Sequence, residues 1–174
     1  MPTRIVIASG NTHKAEEIQA LLGEDFECRT LKDYPGAPEV EEDAATFAGN
    51  AVKKALSLVD WLKHHEDFTE GWVLADDSGL EVDALDGAPG VRSARYASHT
   101  TEGNSPDEAN NAKLLTALDG KPEHQRTARF RCVLALARTG AYGQPELFEG
   151  ACDCLLYTSP SPRDAHESRM PSSA

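Results

Sequence analysis

Three short stretches of this 174-residue chain carry residue types that could do chemistry together. The first is Ser9-Gly10-Asn11-Thr12-His13-Lys14, set between an apolar run and a helical pattern. Gly10 permits a tight turn, unpaired N–H groups at a helix start suit phosphate oxygens, and Lys14 adds positive charge. Asn11 suits either a phosphate contact or the helix cap. The stretch is neither the dinucleotide-binding glycine pattern nor a Walker A loop. A capped helix with a surface lysine accounts for the same residues without a ligand, and His13 by itself reads as a solvated or packing histidine.

The second stretch is Asp76-Asp77-Ser78-Gly79 at the end of an apolar run. Adjacent strand residues point to opposite faces, but a turn begun by Gly79 would let both acids approach one cleft. One carboxylate could then hold Mg²⁺ while the other positions and deprotonates water, with Ser78 donating to phosphate. A plain acidic turn is the competing reading. The third stretch holds Glu41, Glu42 and Asp43, followed by Asn50 and Lys54. Either glutamate could complete a Mg²⁺ site, and Lys54 can face inward only if its charge is engaged. A solvated acid run with an exposed lysine is the alternative.

The elements that must position these residues follow from pattern. Arg4 to Ala8 predicts a strand, and Thr12 to Leu22 a helix with Ile18, Leu21 and Leu22 as its apolar stripe and Gly23 as its stop. Phe26 to Leu31 predicts a second strand, and Pro35-Gly36 with Pro38 a loop. Phe47, Ala51, Lys54 or Ala55, Leu58 and Leu62 recur at helical spacing over about 46–62. Trp72 to Ala75 predicts a short strand into the acid pair, and Leu80 to Leu85 a separate one. Ser105-Pro106-Asp107-Glu108 carries the signature of a capping box opening a helix that reaches about Leu118. Thr127 to Ala137 alternates as a strand, with Ala128, Phe130, Cys132, Leu134 and Leu136 on a continuously apolar face. Arg129, Arg131, Val133, Ala135 and Ala137 fall on one that becomes apolar beyond Arg131, as in a strand passing from solvent into the core. Leu147 and Phe148 begin its return partner.

Composition narrows the classes. The net charge of −12, from 29 acidic and 17 basic residues, argues against general attraction to nucleic acid or anionic membrane. It does not oppose a phosphate substrate, because lysines and a divalent cation can reverse the field within one cleft. No apolar run is long enough to span a membrane and the start lacks a secretory signal, so cytoplasm is the expected setting. Cys28, Cys132, Cys152 and Cys154 form no disulfide or metal framework by spacing. His64-His65 lacks ligand spacing and reads as surface.

In combination the motifs become specific. The chain resembles the inosine triphosphate pyrophosphatase family through Ser9 to Lys14, Glu42-Asp43-Ala44-Ala45-Thr46-Phe47, Asn50-Ala51, Lys54-Ala55 and Ala75 to Leu80. Gly87 to Val91, Ser93-Ala94-Arg95-Tyr96, Asn110-Asn111, Lys113-Leu114-Leu115, Ala128-Arg129-Phe130 and Phe148-Glu149-Gly150 extend the likeness in order. The resemblance implies an α/β fold with an elongated central mixed sheet, flanking helices and two lobes around a cleft. It also implies a homodimer and hydrolysis of the triphosphates of inosine, deoxyinosine or xanthosine to monophosphate and pyrophosphate. Carried over by position, Ser9, Gly10, Asn11, Thr12, His13, Lys14, Lys54 and Ser78 would bind substrate phosphate. Glu42, Asp76 and Asp77 would hold Mg²⁺, with Asp77 as the proton acceptor. A pyrophosphatase for another nucleotide, or a noncatalytic nucleotide-binding fragment, is the alternative.

The sequence departs from the family at Gly49, often glutamate, and at Arg92, often tyrosine. Beyond Cys152 a Gly-Phe-Gly-Tyr-Asp-Pro segment, a lysine and a Ser-His-Arg segment are expected and do not appear. Residues 1–152 are therefore read as an incomplete domain. Residues 153–174, which include Leu155 to Asp164, resemble a translated sequencing-adapter read-through and are read as a non-native, disordered tail.

Overall fold

The computed structural model describes residues 2–65, 70–98, 103–140 and 143–157. Its scaffold is a five-stranded sheet in the order β2-β1-β3-β4-β5. The strands are β1 (Thr3–Ile7), β2 (Phe26–Thr30), β3 (Trp72–Val82), β4 (Thr127–Arg138) and β5 (Glu146–Leu155). The helices are α1 (Thr12–Leu22), α2 (Phe47–Leu62) and α3 (Asp107–Ala117). β1 runs parallel to both neighbours, with Ile5 opposite Cys28 on β2 and Trp72 on β3. Along β3 and β4 the partners run in opposite directions: Thr139 bonds Gly71, Arg131 meets Glu81 and Arg129 meets Asp83. The sheet is thus mixed and the fold α/β, as the sequence reading has it.

From β1 the chain moves one way through α1 to β2, then back past β1 through α2 to β3. Right-handed crossovers in opposite directions place α1 and α2 on opposite faces of the sheet. β1 therefore lies at the point where the winding reverses, and the carboxyl ends of such strands are where open α/β sheets present ligand-binding loops.

By its internal contacts the chain divides into two compact units, Met1–Asp77 with Cys132–Glu149, and Ser78–Arg131 with Gly150–Ala174. The first unit buries Ile5, Val6 and Ile7 with Val73 and Ala75, and the α2 stripe Phe47, Ala51, Ala55, Leu58 and Leu62. The helical spacing legible in the sequence is that buried stripe. The second unit has its own core of Val82, Leu114, Leu118 and Ala128, against which Leu80, Leu85 and Tyr96 pack.

Four expectations need correction. β3 is one uninterrupted strand through Asp76-Asp77-Ser78-Gly79, so Gly79 begins no turn. β1 pairs with β3 only as far as Leu74, so it is pairing with β4 that keeps this segment extended, overriding the local loop preference of its residues. Ser105 does not cap α3. Pro106 is the cap residue and no side-chain cap bond forms, while Asn110, inside the helix, donates to the Ser105 carbonyl. On α1 only Ala15 is buried and Leu21 is 86% exposed. What ties α1 to β2 is Gln19, which donates to the carbonyls of Gly23 and Phe26 and accepts from the Cys28 N–H. On β4 the face that becomes apolar beyond Arg131 does enter the core through Val133, Ala135 and Ala137, but Phe130, on the continuously apolar face, is exposed.

β5 continues past Cys152 to Leu155 and is exposed over nearly its whole length. The remainder of the expected disordered tail, residues 158–174, lies outside the described residues. His65 is not simply a surface group: its ring packs edge-on to Tyr34 and tilted against Trp61. Among the described residues no helix is long and apolar enough to cross a membrane.

Candidate active site

At the end of β1 the chain turns tightly. The Ser9 N–H donates to the Ile7 carbonyl, the Ser9 carbonyl accepts from Leu31, and the Ser9 hydroxyl accepts from the Asn11 N–H. Asn11 then caps α1, its Oδ1 accepting from the N–H groups of His13 and Lys14 at 3.0 and 3.3 Å. The cap thus takes up two of the helix-start donors that an approaching anion could otherwise use. Gly10 is different: no atom lies within 4 Å of where its Cβ would sit, and its φ is not in the left-handed region. The fold does not need glycine there, so its use is consistent with leaving the backbone open to close approach. Thr12 begins the helix exposed, and the His13 ring lies in solvent beside Glu16. His13 enters the loop through its backbone alone.

Lys14 reaches from α1 to Asp76, its Nζ 2.7 Å from Oδ2. Asp77, next on the strand, is buried and accepts from the Asn50 Nδ2 of α2 at 2.8 Å. The alternation of an unbroken strand sends the two acids to opposite faces, and the two helices supply a different partner to each. Asn50 is itself fully buried, and its Oδ1 accepts from the Ala44 N–H at 2.9 Å. Two residues before Ala44, Glu42 meets the Lys54 Nζ at 2.6 Å, with the Lys54 side chain only 15% exposed. The charge of Lys54 is therefore engaged and the residue does face inward. Its neighbour Lys53 bonds Asp43 and the Glu41 carbonyl on the exposed side.

These charges converge. The Cys132 thiol on β4 is pushed above its ordinary value chiefly by burial, then by Asp76, with Lys14, Asp77 and Lys54 also within electrostatic reach. Glu42 joins this constellation through Lys54. Ser78, half-buried on β3, belongs to the other compact unit. Asn50 stood in the third stretch without a role, and Cys132 was considered only for disulfide or metal spacing. The spacing of Asn50 within the α2 stripe was the available signal, since a polar residue at a core position needs a partner.

Among the described residues no group of three or more His, Cys, Asp or Glu side chains stands ready as a metal centre. Glu42, Asp76 and Asp77 instead each face a nitrogen, two of them an ammonium. Hard carboxylate oxygens are the donors Mg²⁺ prefers. The Lys14 and Lys54 ammonium groups lie against Asp76 and Glu42 as a cation would. The donor chemistry fits the ion.

The chain matches the Ham1 family over residues 5–166. It is 47% identical over 154 residues to a dITP/XTP pyrophosphatase of Desulforamulus reducens, covering 88% of this chain and 70% of that protein. It is also 47% identical over 159 residues to one of Geobacter sulfurreducens, covering 91% and 73%. Among solved structures, a HAM1 protein from Coxiella burnetii superposes with a TM-score of 0.77 at 32% identity, covering 91% of this chain and 75% of that one. A nucleoside-triphosphatase / dITP/XTP pyrophosphatase from Mycobacterium abscessus superposes with a TM-score of 0.73 at 34% identity, covering 91% and 77%. With its loop, acid pair and engaged lysines in the order the motifs had suggested, the chain belongs to the Ham1 family.

Proposed function

We infer that this chain is a hydrolase of non-canonical purine nucleoside triphosphates, cleaving those of inosine, deoxyinosine and xanthosine to the monophosphate and pyrophosphate. The observation that carries the reading is the 47% identity, over most of the chain, to relatives named dITP/XTP pyrophosphatases. Its role is to remove deaminated purines from the nucleotide pool before they enter nucleic acid. The reading extends to a homodimer acting in the cytoplasm.

The site residues divide the work. Ser9 to Lys14 wraps the phosphates, with the open backbone at Gly10 and the Lys14 ammonium as the principal contacts. Lys54 and Ser78 assist along the triphosphate. Asp77 accepts the proton of a water whose oxygen attacks the α-phosphorus, and the bond from that phosphorus to the pyrophosphate oxygen breaks. Glu42 and Asp77 would hold Mg²⁺, which when bound supplies charge neutralisation for the phosphate oxygens, whereas Asp76, expected beside them, points to the opposite face of the unbroken strand and pairs with Lys14. Lys14 and Lys54 would then turn from the carboxylates toward substrate oxygens, since each is a flexible point charge. Retention of Asp76, Asp77, Lys14 and Lys54 supports this reading over a noncatalytic nucleotide-binding role.

The test is direct. The chain is incubated with Mg²⁺ and the triphosphates of inosine, xanthosine, adenosine or guanosine, and monophosphate, pyrophosphate and inorganic phosphate are measured. Preferred turnover of the inosine and xanthosine substrates with release of pyrophosphate is expected. Equal turnover of ATP and GTP, or release of inorganic phosphate alone, would overturn the reading.

A further inference from the structure

We propose that Asn50 is a positioning residue that ties Asp77 to the segment carrying Glu42, and that Gly49 provides the space that lets this segment sit close enough to be tied. The proposal rests on Asp77 and Glu42 being members of the site, as inferred above.

Asn50 is fully buried and spends its amide in two directions. Nδ2 donates to the Asp77 carboxylate at 2.8 Å, and Oδ1 accepts from the Ala44 N–H at 2.9 Å. An apolar side chain would fill this place in the α2 stripe without the cost of burying an amide. What the amide adds is the fixed placement of its two partners. Lys54 lies one helical turn further on and so shares a face of α2 with Asn50. Its ammonium holds Glu42 at 2.6 Å. The 42–44 segment is thus gripped twice from one helix, and the same grip reaches Asp77.

Gly49 explains how the segment comes so near. A Cβ on this residue would lie 2.8 Å from the Ala44 Cβ and 3.1 Å from the Thr46 Oγ1. Neither neighbour can swing a long side chain away, so any larger residue must push the segment outward. Gly49 takes no positive φ, so what glycine supplies here is room. An acidic residue three positions after Thr46 would complete a capping box. Here Thr46 Oγ1 accepts from the Gly49 N–H at 3.0 Å and the reciprocal bond is given up.

The test uses the whole chain and three variants, Asn50→Ala, Asn50→Asp and Gly49→Ala. Amide exchange at Ala44 is followed by NMR, alongside kcat and KM for inosine triphosphate. In Asn50→Ala, Ala44 exchange should accelerate about tenfold and kcat fall about tenfold, the size expected for losing a bond to a charged group. KM should stay within about twofold because the Ser9 to Lys14 loop is untouched. Asn50→Asp keeps an acceptor for Ala44 but no donor for Asp77, so kcat should fall while Ala44 stays protected. Gly49→Ala should hold the melting temperature, since alanine favours helix over glycine, yet speed Ala44 exchange and lower kcat about threefold or more. Unchanged Ala44 exchange and kcat in Gly49→Ala would overturn the proposal, as would an Asn50→Ala variant that loses stability with kcat intact. If the unsubstituted chain releases no pyrophosphate, the functional reading and with it the catalytic part of the proposal fail, and Ala44 exchange in Gly49→Ala decides the tie alone.

Discussion

Asp76 and Asp77 are neighbours on one strand, yet the first meets the Lys14 ammonium from α1 at 2.7 Å and the second the Asn50 amide from α2 at 2.8 Å. The Lys14 partner is charged, flexible and a third exposed. The Asn50 partner is neutral, short and fully buried. One face of β3 thus holds its acid with a group that can be exchanged for another cation or turned toward an anion. The other holds its acid with a group that can only fix its direction. The same chemistry can be tuned on adjacent positions because the strand sends them to helices of different burial.

The most severe way to break this contrast is Asp77→Asn. Loss of the proton acceptor should lower kcat for inosine triphosphate by about 10³-fold, with the fold retained by circular dichroism. On the other face Lys14→Ala should act on binding, raising KM about tenfold or more through loss of a charge-assisted phosphate contact, read from initial rates at fixed Mg²⁺. Stability should divide the opposite way. Asn50→Ala should cost about 1–3 kcal/mol in urea unfolding because it strands buried groups, whereas Lys14→Ala, releasing a partly exposed pair, should cost less than about 1 kcal/mol.

A smaller effect comes from the thiol that senses both acids. Burial and then Asp76 push Cys132 up, so near pH 8 it carries less thiolate than a free cysteine and iodoacetamide should label it more slowly. Asp76→Asn should speed that labelling. The sign for stability follows: the folded thiol keeps its proton to higher pH than the unfolded one, so its contribution is full below the ordinary value and is lost as pH rises through the folded value. Lys53 and Lys54 provide the least disruptive comparison. Lys53→Ala releases an exposed pair with Asp43 and should leave turnover unchanged, while Lys54→Ala, which removes the ammonium against the half-buried Glu42, should lower it.

Much of this arrangement was legible in the sequence, for reasons that are local. The bounds of α1 followed from Asn11 and Gly23, those of α2 from Thr46 and the apolar spacing of Phe47 to Leu62, and β1 and β4 from their apolar runs. The candidate acids and lysines could be picked out by type and order, and Lys54 was expected to face inward only with its charge engaged, as it is by Glu42. Hydrogen-bond partners were not legible in the same way. Ser105 had the right identity for a cap, but its backbone is occupied by Ala94 and Asn110. Leu21 had the right spacing for a buried stripe, but no element covers it among the described residues.

What the sequence by itself determined, then, was the set of helices, the inner strands and the inventory of acids and lysines, because capping, periodicity and charge act over a few residues. Only the tertiary structure decided that Asp76 and Asp77 part to opposite faces. A local reading put a turn at Gly79, whereas pairing within the sheet keeps β3 extended through it. Once the strand is straight its two-residue period separates the acids. The opposed right-handed crossovers of α1 and α2 then give one a lysine and the other a buried amide.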